Sequence, residues 1–156
     1  MLEIVLSCFD LLVRESQSEA VDASRVVLIG MSVGGGLVID VAARGHGIAA
    51  VVAIVPYLDG TGSPSGEVLG SLMYRPGKRL KDVSCPVLLV SGDADTCTPA
   101  TSQRPWAQGR DNVTIRTGPF NPFGRDSKTS VATDIAFLRL HISQPLPRTR
   151  SKQDDR

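Results

Sequence analysis

Residues 26–36 read "VVLIGMSVGGG", a run of apolar β-formers that ends at a serine, Ser32, set among glycines. Val26, Val27, Leu28 and Ile29 do not alternate with polar residues, the pattern of a strand covered on both faces, and such strands belong to parallel sheets. Val33, Leu37, Val38 and Val41 then recur at helical spacing, and Gly45 with Gly47 supplies a stop that tolerates positive φ. A strand therefore feeds a glycine-rich turn, and the turn feeds a helix. A dinucleotide fingerprint would need glycine two places after Gly30, where Ser32 stands. A phosphate-cradling loop would need a lysine followed by serine or threonine where the chain has Gly35, Gly36 and Leu37. Both patterns fail at their essential residue.

The pattern G-x-S-x-G is met by Gly30, Met31, Ser32, Val33 and Gly34. In such a turn the serine adopts a strained backbone that lifts its hydroxyl to the C-terminal edge of the sheet, and side chains at the flanking glycines would collide. The hydroxyl then stands at a helix head, where free N–H groups and the dipole favour developing negative charge. The Val33 N–H is the expected oxyanion donor.

Outward from the elbow, Leu2, Val5, Leu6, Phe9, Leu12 and Val13 form one apolar helical face, ahead of a polar run to Ser24. After it, Ile48 to Val55 reads as a second buried strand and "PVLLVS" from Pro86 to Ser91 as a third, while Asn112 to Thr117, which alternates weakly, reads as a fourth strand. Turn formers fill 56–70, with a short helix around Glu67 to Tyr74 as the alternative to a continuous loop. A helix is expected from Pro99, and Val131, Ile135, Leu138 and Ile142 mark the last one. Strands alternating with helices imply right-handed crossovers and a parallel sheet flanked by helices, with about four strands in one domain over 1–142 and a disordered tail over 143–156.

The stretch "RVVLIGMSVGGGLVIDVAARGHGIAAVVAIVPYLDG" resembles the serine-elbow region of the α/β-hydrolase superfamily, in particular dienelactone-hydrolase-like esterases and the fungal polyketide-transferase type of secondary-metabolite clusters. "CPVLLVSGDADTCTP" is similar to the later strand and acid turn of that fold. The likeness implies a partial α/β-hydrolase fold and acyl-serine chemistry on an ester or thioester, with Ser32 as nucleophile and Asp95 as the triad acid. Asp93 is a second candidate for the acid, and a loop carboxylate capping the helix after Pro99 is the plain structural reading of Asp95. Neither cofactor nor metal is implied.

Relatives carry a histidine in a glycine-rich turn after the last strand. This chain reads "TGPFNPFGRD", with Pro119 at the histidine position. The only histidines are His46, in the turn after the elbow helix, and His141, near the end of the last helix, and neither is placed to serve as the base. Strands and an oxyanion loop that precede the elbow in relatives have no counterpart before Arg25, so a chain truncated at its N-terminus is expected, its strand 25–30 open to self-association. The reading is a hydrolase relative with impaired catalysis. A non-catalytic fragment or interaction module that uses the free sheet edge is the alternative.

Formal charge is +1 over 156 residues, which leaves no electrostatic footprint for nucleic acid or an acidic membrane. Lys78, Arg79 and Lys81 lack interleaved aromatics and read as a solvated turn, and Trp106 either lines a pocket or covers the core. Cys8, Cys85 and Cys97 form no C-x-x-C pair, which suits free thiols in a cytoplasmic protein, with Cys85 and Cys97 as small apolar residues.

Overall fold

The computed structural model describes residues 25–45, 47–59, 74–118 and 128–142. The amphipathic segment over 2–13, His46, the alternative helix at 67–73, Pro119 and the tail over 143–156 lie outside the described residues. Strand β1 (Val26–Met31) leads to helix α1 (Val33–Ala42), and β2 (Ile48–Ile54) to a 3-10 helix (Pro76–Asp82). Strand β3 (Val87–Gly92) leads to α2 (Ala100–Ala107), and β4 (Val113–Gly118) is followed by α3 (Lys128–Ile142). The strands pair in chain order, β1-β2-β3-β4, and every pair is parallel. This is the partial α/β-hydrolase architecture read from the sequence.

Because each crossover steps the same way across the sheet, right-handedness puts all three connecting elements on one face. On that face Val51, Ala53, Val87 and Leu89 pack with Val38, Ile39 and Leu80, while Trp106 covers the margin of the same core. The opposite face is smaller: Val52, Leu88 and Val90 meet Phe137 and Leu138 of α3. Strands β2 and β3 are thus sandwiched, which is why their sequences are apolar without alternation.

Strand β1 departs from that expectation. Val26 and Leu28 pack on the larger core, but α3 leaves the other face of β1 uncovered, and Ile29 and Met31 are 58% and 45% exposed. Among the described residues its apolar run is covered on one face only. β1 is also an edge strand among the described residues, with β2 its one neighbour.

The basic cluster at 78–81 is not a simple solvated turn. It lies in the 3-10 helix, whose Arg79 reaches the Asp40 carboxylate of α1 at 3.4 Å and Asp82 at 3.1 Å, while Lys78 and Lys81 are exposed. Asp40 is buried, so the pair joins the 3-10 helix to the elbow helix. Burial, with the Asp40 charge second, pushes the neighbouring Tyr74 phenol up. The thiols also divide: Cys85 is buried, whereas Cys97, expected to be apolar filler, is exposed in the loop after β3. No helix among the described residues is long and apolar enough to cross a membrane.

Helix α1 owes its close seat to small residues. A Cβ on Gly36 would lie 2.7 Å from both the Tyr57 carbonyl oxygen and Pro76 Cγ, whereas one on Gly34 would meet no described atom within 4 Å. Gly36→Ala is therefore expected to cost about 1–3 kcal/mol in urea unfolding, with Gly34→Ala neutral or stabilising by up to about 1 kcal/mol.

Burial pushes the Cys85 thiol up to about 11 from its ordinary 9.0, so the fold favours the protonated form. Below pH 9.0 both states hold the proton and this contribution is complete; between 9.0 and about 11 the unfolded chain ionises first and stability falls. Tyr74 acts in the same direction at higher pH. Urea titrations from pH 8 to 11 are expected to show the decline, and Cys85→Ala to remove its first part.

Candidate active site

The elbow is built from a backbone that an L-residue rarely adopts. Ser32, the residue between β1 and α1, has φ 55° and ψ −119°. Such a conformation costs about 1–3 kcal/mol and survives only where its surroundings fix it. Four hydrogen bonds do so. The Ser32 N–H donates to the Ile54 carbonyl at 2.9 Å, and the Ser32 carbonyl accepts from Gly35 at 3.0 Å, Gly36 at 3.3 Å and Tyr57 at 3.0 Å. The end of β2 and the segment after it therefore hold the serine by its N–H and by its carbonyl.

The side chain is left over. Ser32 occupies the N-cap position of α1 but makes no side-chain capping bond, unlike most serines at that position. The Val33 N–H, the first of the helix, finds no backbone acceptor among the described residues. Half-buried Ser32 and an amide with no backbone acceptor among the described residues thus stand together at the positive end of a helix.

The two glycines expected to be essential for steric reasons behave differently. A Cβ on Gly30 would strike the Gly34 carbonyl, so glycine is required there. Gly34 has open space among the described residues, and the second crowded position is Gly35, whose Cβ would sit 2.9 Å from Pro56 Cβ. The turn packs against the post-β2 segment one residue later than the motif suggests.

Strand β3 ends before the turn that carries Asp93 and Asp95, read above as the acid turn. Asp93 is exposed and its N–H is spent on the Gly118 carbonyl at 2.8 Å, whereas Asp95 is buried at 8% exposure. Asp95 Oδ1 accepts from the Cys97 N–H at 2.8 Å and the Thr98 N–H at 3.0 Å, and Oδ2 accepts from Thr98 Oγ1 at 2.8 Å. These donors belong to the turn before α2, whose N-cap, Pro99, has no side-chain cap. Asp95 therefore does not cap the helix. Among the described residues three donors hold its carboxylate, two on Oδ1 and one on Oδ2.

Ser32 and Asp95 share the C-terminal edge of the sheet. Met31 is in register with Ile54 and Ile54 with Val90, so Ser32 follows the end of β1 as the acid turn follows that of β3. One strand lies between them, and two strand spacings amount to about 10 Å. No hydrogen bond joins Ser32 and Asp95 among the described residues. His141 does not link them: its ring packs on Phe137 with centroids 4.5 Å apart, and no hydrogen bond among the described residues joins it to Ser32 or Asp95.

Sequence reasoning missed Thr98, Gln103 and Val55. Thr98 stands three residues after Asp95, a spacing at which side-chain-to-backbone bonds recur, so its role had a signal. Gln103 is fully buried on α2, donates from Nε2 to the Thr98 carbonyl at 3.1 Å, and keeps an unpartnered Oε1. Val55, buried and β-branched, has φ 43°, and no pattern in the sequence announces it. A groove of about 290 Å³ lined by Asp40, Tyr74, Arg75, Pro76, Lys78 and Arg79 includes neither Ser32 nor Asp95. No three His, Cys, Asp or Glu side chains converge as a metal site among the described residues.

Comparison with known proteins gives the same architecture. A putative dienelactone hydrolase from Klebsiella pneumoniae superimposes with a TM-score of 0.67 at 23% identity, over 90% of this chain and 60% of that one. An acetyl xylan esterase from Paenibacillus sp. R4 gives 0.68 at 15%, over 88% and 52%. An alpha/beta hydrolase from Penicillium sp. sh18 gives 0.69 at 16%, over 88% and 71%. The chain thus spans about half the length of the Paenibacillus esterase, and identities this low speak for the fold alone. No curated protein matches the sequence. The family model for dienelactone hydrolases matches residues 2–113, which include the strand, the strained serine, its glycines and the acid turn, and on that match the chain belongs to the dienelactone hydrolase family.

Proposed function

We propose that the chain carries acyl-serine chemistry on a small ester or thioester, with Ser32 as nucleophile, the Val33 N–H as oxyanion donor and Asp95 as the acid. The observation that carries this reading is Ser32 itself: a strained φ of 55° is held at a helix head while its hydroxyl is withheld from capping. Ser32 Oγ attacks the acyl carbon, the carbonyl oxygen takes the negative charge beside the Val33 N–H, and the tetrahedral intermediate collapses with loss of alcohol or thiol. Water, or another acyl acceptor, then releases the acyl group. No metal or organic cofactor enters these steps.

The proton on Ser32 Oγ needs a base, and the family's histidine position carries Pro119. The oxyanion donor and the strained turn still lower the barrier, because residual catalysis of about 10³–10⁴ over water survives loss of a triad member in serine proteases. We therefore infer slow turnover, limited by removal of that proton.

A fluorophosphonate probe with mass-spectrometric readout tests both parts. Labelling of Ser32 is expected to be slow, absent in Ser32→Ala, and to climb steadily from pH 6 to 9 as hydroxide removes the proton. With an imidazole base the rate would level off above about pH 7. A fast rate with that plateau would contradict the missing base, and labelling of another residue at equal rate would contradict the nucleophile.

A further inference from the structure

We propose that Thr98 is a positioning residue that ties the acid turn to the segment gripping Ser32, so that the two halves of the site are held as one unit; the assignment of Ser32 and Asp95 on which this rests is the one made above. Thr98 uses every polar group it has. Its N–H donates to Asp95 Oδ1 at 3.0 Å, its hydroxyl reaches Asp95 Oδ2 at 2.8 Å and the Val55 carbonyl at 3.2 Å, and its own carbonyl accepts from Gln103 Nε2 at 3.1 Å. The contact to Val55 crosses 43 residues of sequence, from the end of β3 to the end of β2.

Val55 is the residue that makes this contact matter. Its φ of 43° turns the chain out of β2, and that turn brings the Tyr57 N–H onto the Ser32 carbonyl at 3.0 Å, three residues after Ile54 has accepted the Ser32 N–H at 2.9 Å. A buried β-branched residue does not hold such a φ unaided. The two ends of Val55 are anchored: the N–H donates to the Val90 carbonyl at 2.7 Å, and the carbonyl faces Thr98 Oγ1. Both anchors come from β3 and the turn that follows it. The elbow geometry therefore depends on the acid turn as well as on the glycines of its own motif.

The Thr98 hydroxyl has a single proton for two acceptors. The charged Oδ2 at 2.8 Å is the stronger acceptor and the Val55 carbonyl at 3.2 Å the weaker, so the proton is shared unequally. Gln103 fixes the threonine backbone beneath them and is itself fully buried, which keeps the hydroxyl aimed between the two. Valine at this position would keep the shape and lose the proton; serine would keep the proton.

Site-resolved hydrogen exchange by NMR tests the link without any catalytic readout. In Thr98→Val the Ser32 and Tyr57 amides are expected to exchange about 3- to 10-fold faster than in the wild type, the loss of one hydrogen bond, while Val87 to Val90 amides keep their rates. Thr98→Ser, which retains the hydroxyl, is expected to stay within about twofold of wild type at the same amides. Unchanged exchange at Ser32 and Tyr57 in the valine variant would overturn the proposal, as would acceleration spread evenly over the sheet. If valine prevents folding, the serine variant decides: a rise of tenfold at those amides despite the hydroxyl would also overturn it. Fluorophosphonate labelling of the same variants keeps the two readings apart. Absence of Ser32 labelling in all of them would fail the acyl-serine assignment, while the exchange data alone judge Thr98.

Discussion

The structure turns on a strained serine peptide held between two strands. Ser32 cannot keep φ 55° by preference, and what holds it is a donor-acceptor pair from the end of β2 and the segment after it: the Ile54 carbonyl accepts its N–H and the Tyr57 N–H donates to its carbonyl. Every larger feature serves that grip. The parallel register brings Met31 level with Ile54, the crowded glycines let α1 approach, and the buried β2 and β3 give the segment a rigid footing. The site is thus a property of two neighbouring strands rather than of a five-residue motif.

That dependence explains why strain appears twice. A second unfavourable backbone, at Val55, lies directly beside the first and is anchored by the next strand and by the acid turn. Together they cost on the order of 2–6 kcal/mol, a large share of the stability of a domain this size. The cores on both faces of β2 and β3 offset it. Strain of this kind persists only where the surrounding structure over-determines it, as the bonds to Ser32 and Val55 do here.

Much of this was legible in the sequence. Three apolar runs and one weakly alternating segment match the strands to within a residue, Gly45 and Gly47 do adopt positive φ at 77° and 67°, and Ser32 stands between β1 and α1 as its motif implies. The uniform apolarity of 26–29 misled on one point, because coverage of a strand depends on where its neighbours lie and not on its own residues. The 3-10 helix was hidden for a similar reason: its apolar residues are few, and Arg79 is held by a carboxylate on a different element. Val55 and Gln103 had no local signal at all. Their conformations are set by contacts that span distant segments, and a single sequence read for periodicity and spacing does not carry those.

The central claim is that Ser32 presents its hydroxyl from a strained turn beside the Val33 amide. The most direct measurement is a crystal structure of the protein after prolonged exposure to a fluorophosphonate. The adduct should sit on Ser32 Oγ, with the phosphonyl oxygen about 3 Å from the Val33 nitrogen and Ser32 still at positive φ. A phosphonyl oxygen turned away from α1, or a relaxed Ser32 backbone at negative φ, would contradict the account.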